Sequence, residues 1–201
     1  MKRNNIILSG LLVIALVVMG CKSDKKDKEA DNASESTTEK VEEVKSIKST
    51  KTKIVEIELA PKSNTNASGK ISFQEKEGVV YMVGKFVGLT PGVHAIHLHE
   101  KADCSADDGT STGGHWNPTF ENHGKWGAAE GYHKGDIGNF EADKEGNGNI
   151  RFQTDEWCIG CGDEKKDIIG KAVIVHEGED DFVSQPTGDA GGRVSCGAII
   201  Q

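Results

Sequence analysis

From Lys53 onward, the chain is dominated by short runs in which hydrophobic and polar residues alternate. In the first run, Val55, Ile57 and Leu59 alternate with the residues between them. A period of two is typical of a strand with one buried face. Similar runs lie at 69–75, 79–87, 93–99, 150–154, 171–176 and 197–200, separated by Gly, Pro, Asn and Asp. Short strands at this spacing predict an antiparallel β-sandwich or β-barrel.

Two long stretches interrupt the strand pattern. Residues 100–139 are rich in Gly, Asp, His and Trp, and residues 177–193 form a second glycine-containing stretch. Structureless loops of this length in a compact domain usually carry function. We therefore expect the functional residues to lie in these two loops and at the strand ends beside them.

The N-terminus has the pattern of an export signal. Lys2 and Arg3 precede an uncharged apolar run over 6–19, and Gly20-Cys21 follows directly. This predicts a secretory signal over 1–20, and the sequence over 18–21 resembles the lipobox of bacterial lipoproteins. The resemblance implies a lipid on Cys21 and anchoring to a membrane of the bacterial cell envelope, on the periplasmic side or at the cell surface. The alternative is a transmembrane anchor, but the run is shorter than the ~20 residues needed to span a bilayer.

The segment that follows the cysteine is strongly polar. Residues 22–52 are mainly Lys, Asp, Glu, Ser and Thr, with too little apolar surface to offset the entropy of ordering the chain. The predicted organisation is therefore a signal peptide at 1–20, a lipidated cysteine with a disordered tether at 21–52, and a folded domain at 53–201.

Composition bears on the fold class, and charge bears on which partners can bind. The 25 glycines and the aromatic content of 5% favour a turn-rich β protein over a helical bundle. The net charge of −8 disfavours a nucleic-acid partner. From Lys53 onward there are 14 Lys and Arg against 24 Asp and Glu, a net charge of −10. An anionic substrate would therefore need local positive charge near its site.

All seven histidines lie between residues 94 and 176. His97 and His99 are two apart on a strand-like run, so both side chains point to one face. His133 and Asp136 place an imidazole and a carboxylate three residues apart, a combination that suits zinc. The chain has no His-Glu-x-x-His sequence, so a zinc-protease helix is not indicated.

Six motifs then occur in the order found in the copper–zinc superoxide dismutases. They are Gly-Val-His-Ala-Ile-His-Leu-His-Glu at 92–100, Gly-His-Trp-Asn-Pro at 114–118, His-Gly at 123–124, His-Lys-Gly-Asp-Ile-Gly-Asn at 133–139, Val-His-Glu at 175–177 and Gly-Gly-Arg-Val-Ser-Cys-Gly at 191–197. The chain resembles that family over 53–201. The resemblance implies an all-β, Greek-key antiparallel barrel or sandwich of about eight strands with two long functional loops.

The resemblance also implies copper and zinc as cofactors, with one ion of each per chain. The implied copper ligands are all histidines: His97, His99, His115 and His176. The implied zinc ligands are His115, His123, His133 and Asp136. His115 would bridge the two ions as an imidazolate, and His94 would be a non-ligand histidine bonded to the backbone.

Several residues outside the ligand set receive roles from the same resemblance. Asp180 would link a copper-side and a zinc-side histidine, with a solvated loop acid as the alternative. Arg193 would guide the anionic substrate, and Cys104 and Cys196 would form a disulfide, which exported proteins allow. Lys125 and Lys134 are further candidates for guidance.

Cys158-Ile-Gly-Cys161 lies outside the family pattern. We expect a local disulfide there rather than a third metal site, since no spare ligand histidine remains, or a thioredoxin-like motif, which would need a βαβ context.

The function implied is superoxide dismutation, the conversion of superoxide into dioxygen and hydrogen peroxide by alternate reduction and oxidation of copper. The alternative, from another class, is a non-catalytic copper-binding or copper-delivery module of the same fold. The expected partners are superoxide and, through the lipid, a membrane. The sequence leaves the oligomeric state open, with a homodimer among the options.

Overall fold

A computed structural model describes residues 52–201. The predicted signal peptide, Cys21 and all but the last residue of the predicted tether lie outside the described residues. Within 52–201, no helix is long and apolar enough to cross a membrane.

The described part of the chain contains eight β-strands and one short 3-10 helix at Thr110–Thr112. The strands are β1 (Lys53–Pro61), β2 (Ser68–Lys76), β3 (Val79–Val87), β4 (Gly92–His99), β5 (Gly138–Ala142), β6 (Gly148–Thr154), β7 (Ala172–His176) and β8 (Arg193–Ala198).

The strands form a closed antiparallel barrel in the order β1-β2-β3-β6-β5-β4-β7-β8. The β3–β4 connection passes over β5 and β6, which gives Greek-key rather than simple up-and-down connectivity. Closure leaves no unpaired sheet edge. The predicted all-β, antiparallel Greek-key fold of about eight strands is confirmed, and of the two predicted forms it is the barrel.

The alternation read from the sequence places the core inside the barrel. Val55, Ile57 and Leu59 are buried, whereas Ile54 on the opposite face of β1 is 58% exposed. The other large buried side chains of this core include Phe73, Met82, Phe86, Ile96 and Leu98. The hydrophobic interior fixes the strand register, because a slip of one residue would turn each apolar set outward.

Two strands differ from the sequence-based prediction. β5 at Gly138–Ala142 was not predicted as a strand: its first two residues fall in the predicted 100–139 loop, and it is only five residues long. β8 starts at Arg193 and ends at Ala198, whereas a strand was predicted over 197–200 and a loop up to Arg193. Val194 to Gly197 are all buried, so β8 shows no alternation, and its small residues give little strand signal.

The two long loops leave neighbouring strands, one after β4 at His99 and the other after β7 at His176, and because the strands are antiparallel they start at opposite ends of this pair. The first approaches the barrel closely at Gly135, where a Cβ atom would collide with the carbonyl oxygen of Leu98. The Cys104–Cys196 disulfide ties this loop to β8 across a sequence separation of 92 residues. The first loop is thereby held against β4 and β8, beside His97 and His99 on β4.

Candidate metal centre

The first histidine cluster is built on two paired strands. β4 carries His97 and His99, and β7 carries His176, with His97 opposite Ile174 in the antiparallel register. His115 comes from the first loop and forms an isolated β-bridge with His99. All four imidazoles are buried, and each offers a ring nitrogen within 4.8 Å of the others. The strands thus supply a rigid face, and the loop brings the fourth ring onto it.

The second cluster lies entirely within the first loop. It contains His115, His123, His133 and Asp136, all buried and again with one ligand atom each within 4.8 Å of the others. Asp136 Oδ1 lies 2.9 Å from His115 Nδ1 and 3.3 Å from His133 Nδ1. Its Oδ2 lies 3.0 Å from His123 Nδ1 and accepts a 2.8 Å bond from the backbone N–H of His133. The carboxylate is therefore the centre of this cluster.

His115 belongs to both clusters. Its Nδ1 faces Asp136, and its Nε2 is buried without a hydrogen-bond partner. The ring centroid lies 4.0 Å from that of His97 and 5.7 Å from that of His133. One imidazole thus faces two separate donor sets with its two nitrogens.

Unsatisfied ring nitrogens show that these donor sets fit metal ions. Each of the six clustered histidines has one buried nitrogen that makes no hydrogen bond. These atoms are Nδ1 of His97, His123 and His133, and Nε2 of His99, His115 and His176. An unpaired buried polar atom typically costs about 1–3 kcal/mol, so six such nitrogens in two shared clusters indicate sites that bind metal ions. Four imidazoles suit copper, and three imidazoles with a carboxylate suit zinc.

In four of these rings, the other nitrogen is held by a hydrogen-bond partner in the protein. Asp180 accepts at Oδ2 from His97 Nε2 and at Oδ1 from His123 Nε2, each at 2.9 Å. The carbonyl oxygen of Gly113 lies 2.9 Å from His99 Nδ1, and that of Gly191 lies 3.3 Å from His176 Nδ1. Such contacts fix the tautomer and the ring orientation of metal-binding histidines. Asp180 is fully buried, so the alternative of a solvated loop acid is wrong.

Asp180 is itself positioned by residues from other elements. Its backbone N–H donates to Asn139 Oδ1, and its carbonyl oxygen accepts from Asn139 Nδ2, both at 2.9 Å. A Cβ atom at Gly188 would collide with Asp180 Oδ1, and the φ of +73° there also favours glycine. Gly188 was not recognised from the sequence, because its requirement arises from a packing contact.

Gln185 was also missed. Its side chain donates to the carbonyl oxygen of His123 at 2.8 Å and accepts from the N–H of His123 at 2.9 Å. This pair of bonds joins the second loop to the backbone of a zinc-cluster histidine. No motif in the sequence marks such a contact between two loops.

Burial and hydrogen bonding shift the pKa values of the site in opposite directions. Burial lowers the pKa of His115 to about 4 and holds those of His99 and His176 well below the ordinary range. Burial opposes ionisation of Asp136, yet hydrogen bonds with the surrounding histidines lower its pKa. Burial would also lower the pKa of His123, but the adjacent carboxylates of Asp136 and Asp180 raise it to about 9. Neutral imidazoles and a charged carboxylate are the forms that bind metals.

Arg193 is half-buried at the start of β8, where it is paired with His176 of the first cluster. Nη1 donates to the carbonyl oxygen of Gly109 at 2.8 Å and to Thr112 Oγ1 at 2.9 Å, and Nη2 donates to the carbonyl oxygen of Gly113 at 2.8 Å. Three bonds to the first loop fix the direction of the guanidinium. Because Arg has five N–H donors, the group retains donors for an anion.

The two lysine candidates for guidance differ. Lys134 forms an ion pair with Glu156 and lies over the ring of Tyr132. Its charge is therefore paired with a neighbouring carboxylate, which argues against a role in guiding an anion. Lys125 is exposed in the same loop.

His94 makes only backbone and hydroxyl contacts. Its Nδ1 lies 2.8 Å from the carbonyl oxygen of His176, and its Nε2 lies 2.8 Å from that of Thr90. The ring connects the start of β4 to the end of β7. It belongs to neither donor cluster.

The fold and the site together define an antiparallel β-barrel protein with two adjoining metal-binding clusters that share one histidine. Residues 67–199 match the family described as copper/zinc superoxide dismutase (SODC). The chain belongs to this family. Copper and zinc are the metals of the family, and the two clusters fit them.

The proteins that this chain resembles are described in different ways: one as a superoxide dismutase, one as a SOD-like protein and one as a clock protein. The chain is 36% identical over 143 residues to superoxide dismutase (Cu-Zn) 2 of Mesembryanthemum crystallinum, covering 68% of this chain and 88% of that protein. Among solved structures, a double mutant of a SOD-like protein from Bacillus subtilis has a TM-score of 0.64 and 30% identity, covering 73% of this chain and 97% of that one. The clock protein EA4 has a TM-score of 0.62 and 35% identity, covering 72% and 93%.

Proposed function

We propose that this protein is a superoxide dismutase. The observation that carries the proposal is the pair of donor clusters sharing His115, with one buried unpaired nitrogen on each of the six histidines. The copper ligands would be the cluster of four imidazoles, His97, His99, His115 and His176. The zinc ligands would be the cluster with the carboxylate, His115, His123, His133 and Asp136.

When bound, copper supplies one-electron exchange with superoxide, and zinc supplies positive charge without redox chemistry. The net reaction consumes two superoxide ions and two protons and yields dioxygen and hydrogen peroxide. His115 is suited to handle one of these protons. Its Nδ1 stays on the Asp136 side, so Nε2 is the atom that can take up a proton and pass it to the departing peroxide.

Arg193 would bind and align the substrate. Its guanidinium stays charged at all relevant pH values and has a planar fork of donors. The bonds to Gly109 and Gly113 hold this fork in one orientation beside the copper cluster. Because the domain carries a net charge of −10, this local charge would focus the anion where the overall field repels it.

The rival proposal is a copper-binding or copper-delivery module without turnover. It has support because similar solved structures include a protein described only as SOD-like. The bridging histidine and the oriented arginine favour the enzyme, since storage of copper needs neither of them. The test is superoxide consumption by protein loaded with one copper and one zinc per chain, with metal-stripped protein as the control. Tight copper binding without consumption above the control would support the module and contradict the enzyme.

The location of the protein is part of the same proposal. Gly20-Cys21 behind a short apolar run supports a lipid on Cys21 and anchoring in the bacterial cell envelope, with 1–20 removed and 21–52 as the tether. Cys21→Ala should move the protein from the membrane fraction to the soluble fraction of a bacterial host. Ser23→Ala is the control and should remain in membranes. Retention of the Cys21 variant by an uncleaved N-terminal segment would contradict lipidation.

A further inference from the structure

The Cys158–Cys161 pair lies in the connection between β6 and β7, outside both metal clusters. The two cysteines are joined in a disulfide, with a sequence separation of only 3. Cys158 is buried, whereas Cys161 is exposed. The pair therefore presents one accessible sulfur and one protected sulfur, an arrangement in which a thiol from solution can reach Cys161.

The residues just before this pair contact the zinc-binding segment. Trp157 is buried, and its indole Nε1 donates to the carbonyl oxygen of Lys134 at 2.9 Å. Glu156 accepts a 2.6 Å bond from the hydroxyl of Tyr132 and forms an ion pair with Lys134. Tyr132 and Lys134 are the chain neighbours of His133. Glu156 and Trp157 thus contact the chain on both sides of His133.

The cysteine turn is itself attached to the barrel. Ile159 is fully buried, and its N–H donates to Glu75 on β2 at 2.8 Å. Asp167 accepts from the N–H groups of Gly160 and Gly162 at 2.9 and 2.8 Å. The disulfide closes this turn directly after Trp157. It therefore restricts the freedom of the residue that bears the indole.

We infer that Cys158–Cys161 is a thiol–disulfide exchange site whose oxidation state sets how firmly the His133–Asp136 segment retains zinc. The reductant would be a dithiol, either a small molecule or a protein with a Cys-x-x-Cys pair. Its thiolate forms a bond to the Cys161 sulfur while the Cys161–Cys158 bond breaks, and Cys158 takes a proton from water. The second thiol of the reductant then displaces Cys161, which leaves two thiols on this chain and a disulfide on the reductant.

The size of the ring keeps this reaction local. Closing four residues restrains far less unfolded chain than closing the 92-residue separation of Cys104–Cys196. Opening the small ring should therefore leave the barrel folded and loosen only the Glu156–Trp157 contacts with residues 132–134. The inference rests on the proposed zinc site, but not on dismutase activity.

The test measures zinc release from the full-length, metal-loaded protein. Dithiothreitol is added and then removed by anaerobic desalting, a chromogenic zinc chelator is added, and the release rate is followed. Free thiols are labelled with iodoacetamide in parallel and located by peptide mass. We expect Cys158 and Cys161 to be labelled before Cys104 and Cys196, and zinc to leave several-fold faster from the reduced protein.

Three variants separate the effect of disulfide exchange from the effect of the contacts between Glu156–Trp157 and residues 132–134. Cys158→Ser with Cys161→Ser should release zinc as fast as the reduced wild type, with no response to dithiothreitol. Trp157→Phe removes the indole donor but keeps the ring, and should speed release about 10-fold in either oxidation state, the size expected for loss of a contact that orients metal ligands. Glu164→Gln changes an exposed residue of the same connection and should match the wild type.

Two results would overturn the inference. Equal zinc release from the oxidised and reduced wild type would show that the disulfide is not coupled to the zinc segment. Labelling of Cys104 and Cys196 first would show that the small ring is not the exchange site. A protein without zinc in its second cluster would contradict the zinc assignment, whereas absence of superoxide consumption by a zinc-retaining protein would contradict only the dismutase proposal.

Discussion

Arg193 donates from Nη2 to the carbonyl oxygen of Gly113 at 2.8 Å. The same oxygen lies 2.9 Å from Nδ1 of His99. A single backbone carbonyl therefore joins the cation expected to meet the substrate to one of the proposed copper ligands. Arg193 therefore has both a positive charge and a set of hydrogen bonds that fix its position beside a proposed copper ligand, and we expect each of them to contribute to the rate.

Substitution of Arg193 should separate these two contributions. Arg193→Ala should lower the dismutation rate several-fold or more with unchanged metal content, and Arg193→Glu should lower it further. Arg193→Lys keeps the charge but loses the planar fork, so its rate should lie between those of the wild type and the alanine variant. Metal analysis and pulse-generated superoxide decay would measure both properties.

The salt dependence of these variants is a second readout. Added salt should slow the wild type and Arg193→Lys, because ions screen the attraction of the anion. Arg193→Glu should respond much less or in the opposite sense. An Arg193→Glu enzyme with the wild-type rate and salt response would show that the residue does not guide the substrate.

The two metal clusters should be separable by single substitutions. His176 contributes only to the four-imidazole cluster, and Asp136 only to the carboxylate cluster. His176→Ala should therefore lose copper and activity while largely keeping zinc. Asp136→Ala should lower zinc occupancy and leave some copper-dependent activity. Elemental analysis of both proteins checks this, with His94→Gln as a non-ligand histidine control; equal loss of the same metal from both would contradict the assignment.

The metal-free protein should be most stable near pH 6.5. Below this pH, His99, His115 and His176 take up protons in the unfolded chain before they do so in the folded one, since burial lowers their pKa values, that of His115 to about 4. Stability should therefore fall as the pH decreases from about 6.5 toward 4. Above it, His123 retains its proton in the folded state up to about pH 9, so stability should also fall as the pH rises through that range.

Thermal melts of metal-stripped protein between pH 4 and 9 would show the predicted fall in stability on each side of pH 6.5. His123→Gln should remove the fall above pH 6.5 and keep the fall below it. A Tm that rises steadily from pH 6.5 to 9 in the wild type would contradict the raised pKa of His123.

The two disulfides should differ strongly in their contribution to stability. Cys104–Cys196 has a sequence separation of 92, for which the chain-entropy model gives roughly 4–5 kcal/mol, whereas Cys158–Cys161 closes a very short ring. The Cys104→Ser, Cys196→Ser protein should therefore melt at a much lower temperature than the Cys158→Ser, Cys161→Ser protein. A larger loss of Tm from the second protein would contradict this order.

The sequence by itself determined the all-β, antiparallel class, because strands with one buried face leave a period of two, but it left a sandwich and a barrel as alternatives until the structure showed closure. It also indicated the histidines of both clusters, since their spacing and motifs are local. It did not reveal β5, which is only five residues long and begins with glycine. It also did not reveal the start of β8, whose consecutive buried residues show no alternation. Only the tertiary structure joined Asp180 to His97 and His123, neutralised Lys134 with Glu156 and placed Trp157 against the zinc segment. Each of these contacts joins residues more than 20 positions apart, and their geometry depends on how the closed barrel brings its loops together.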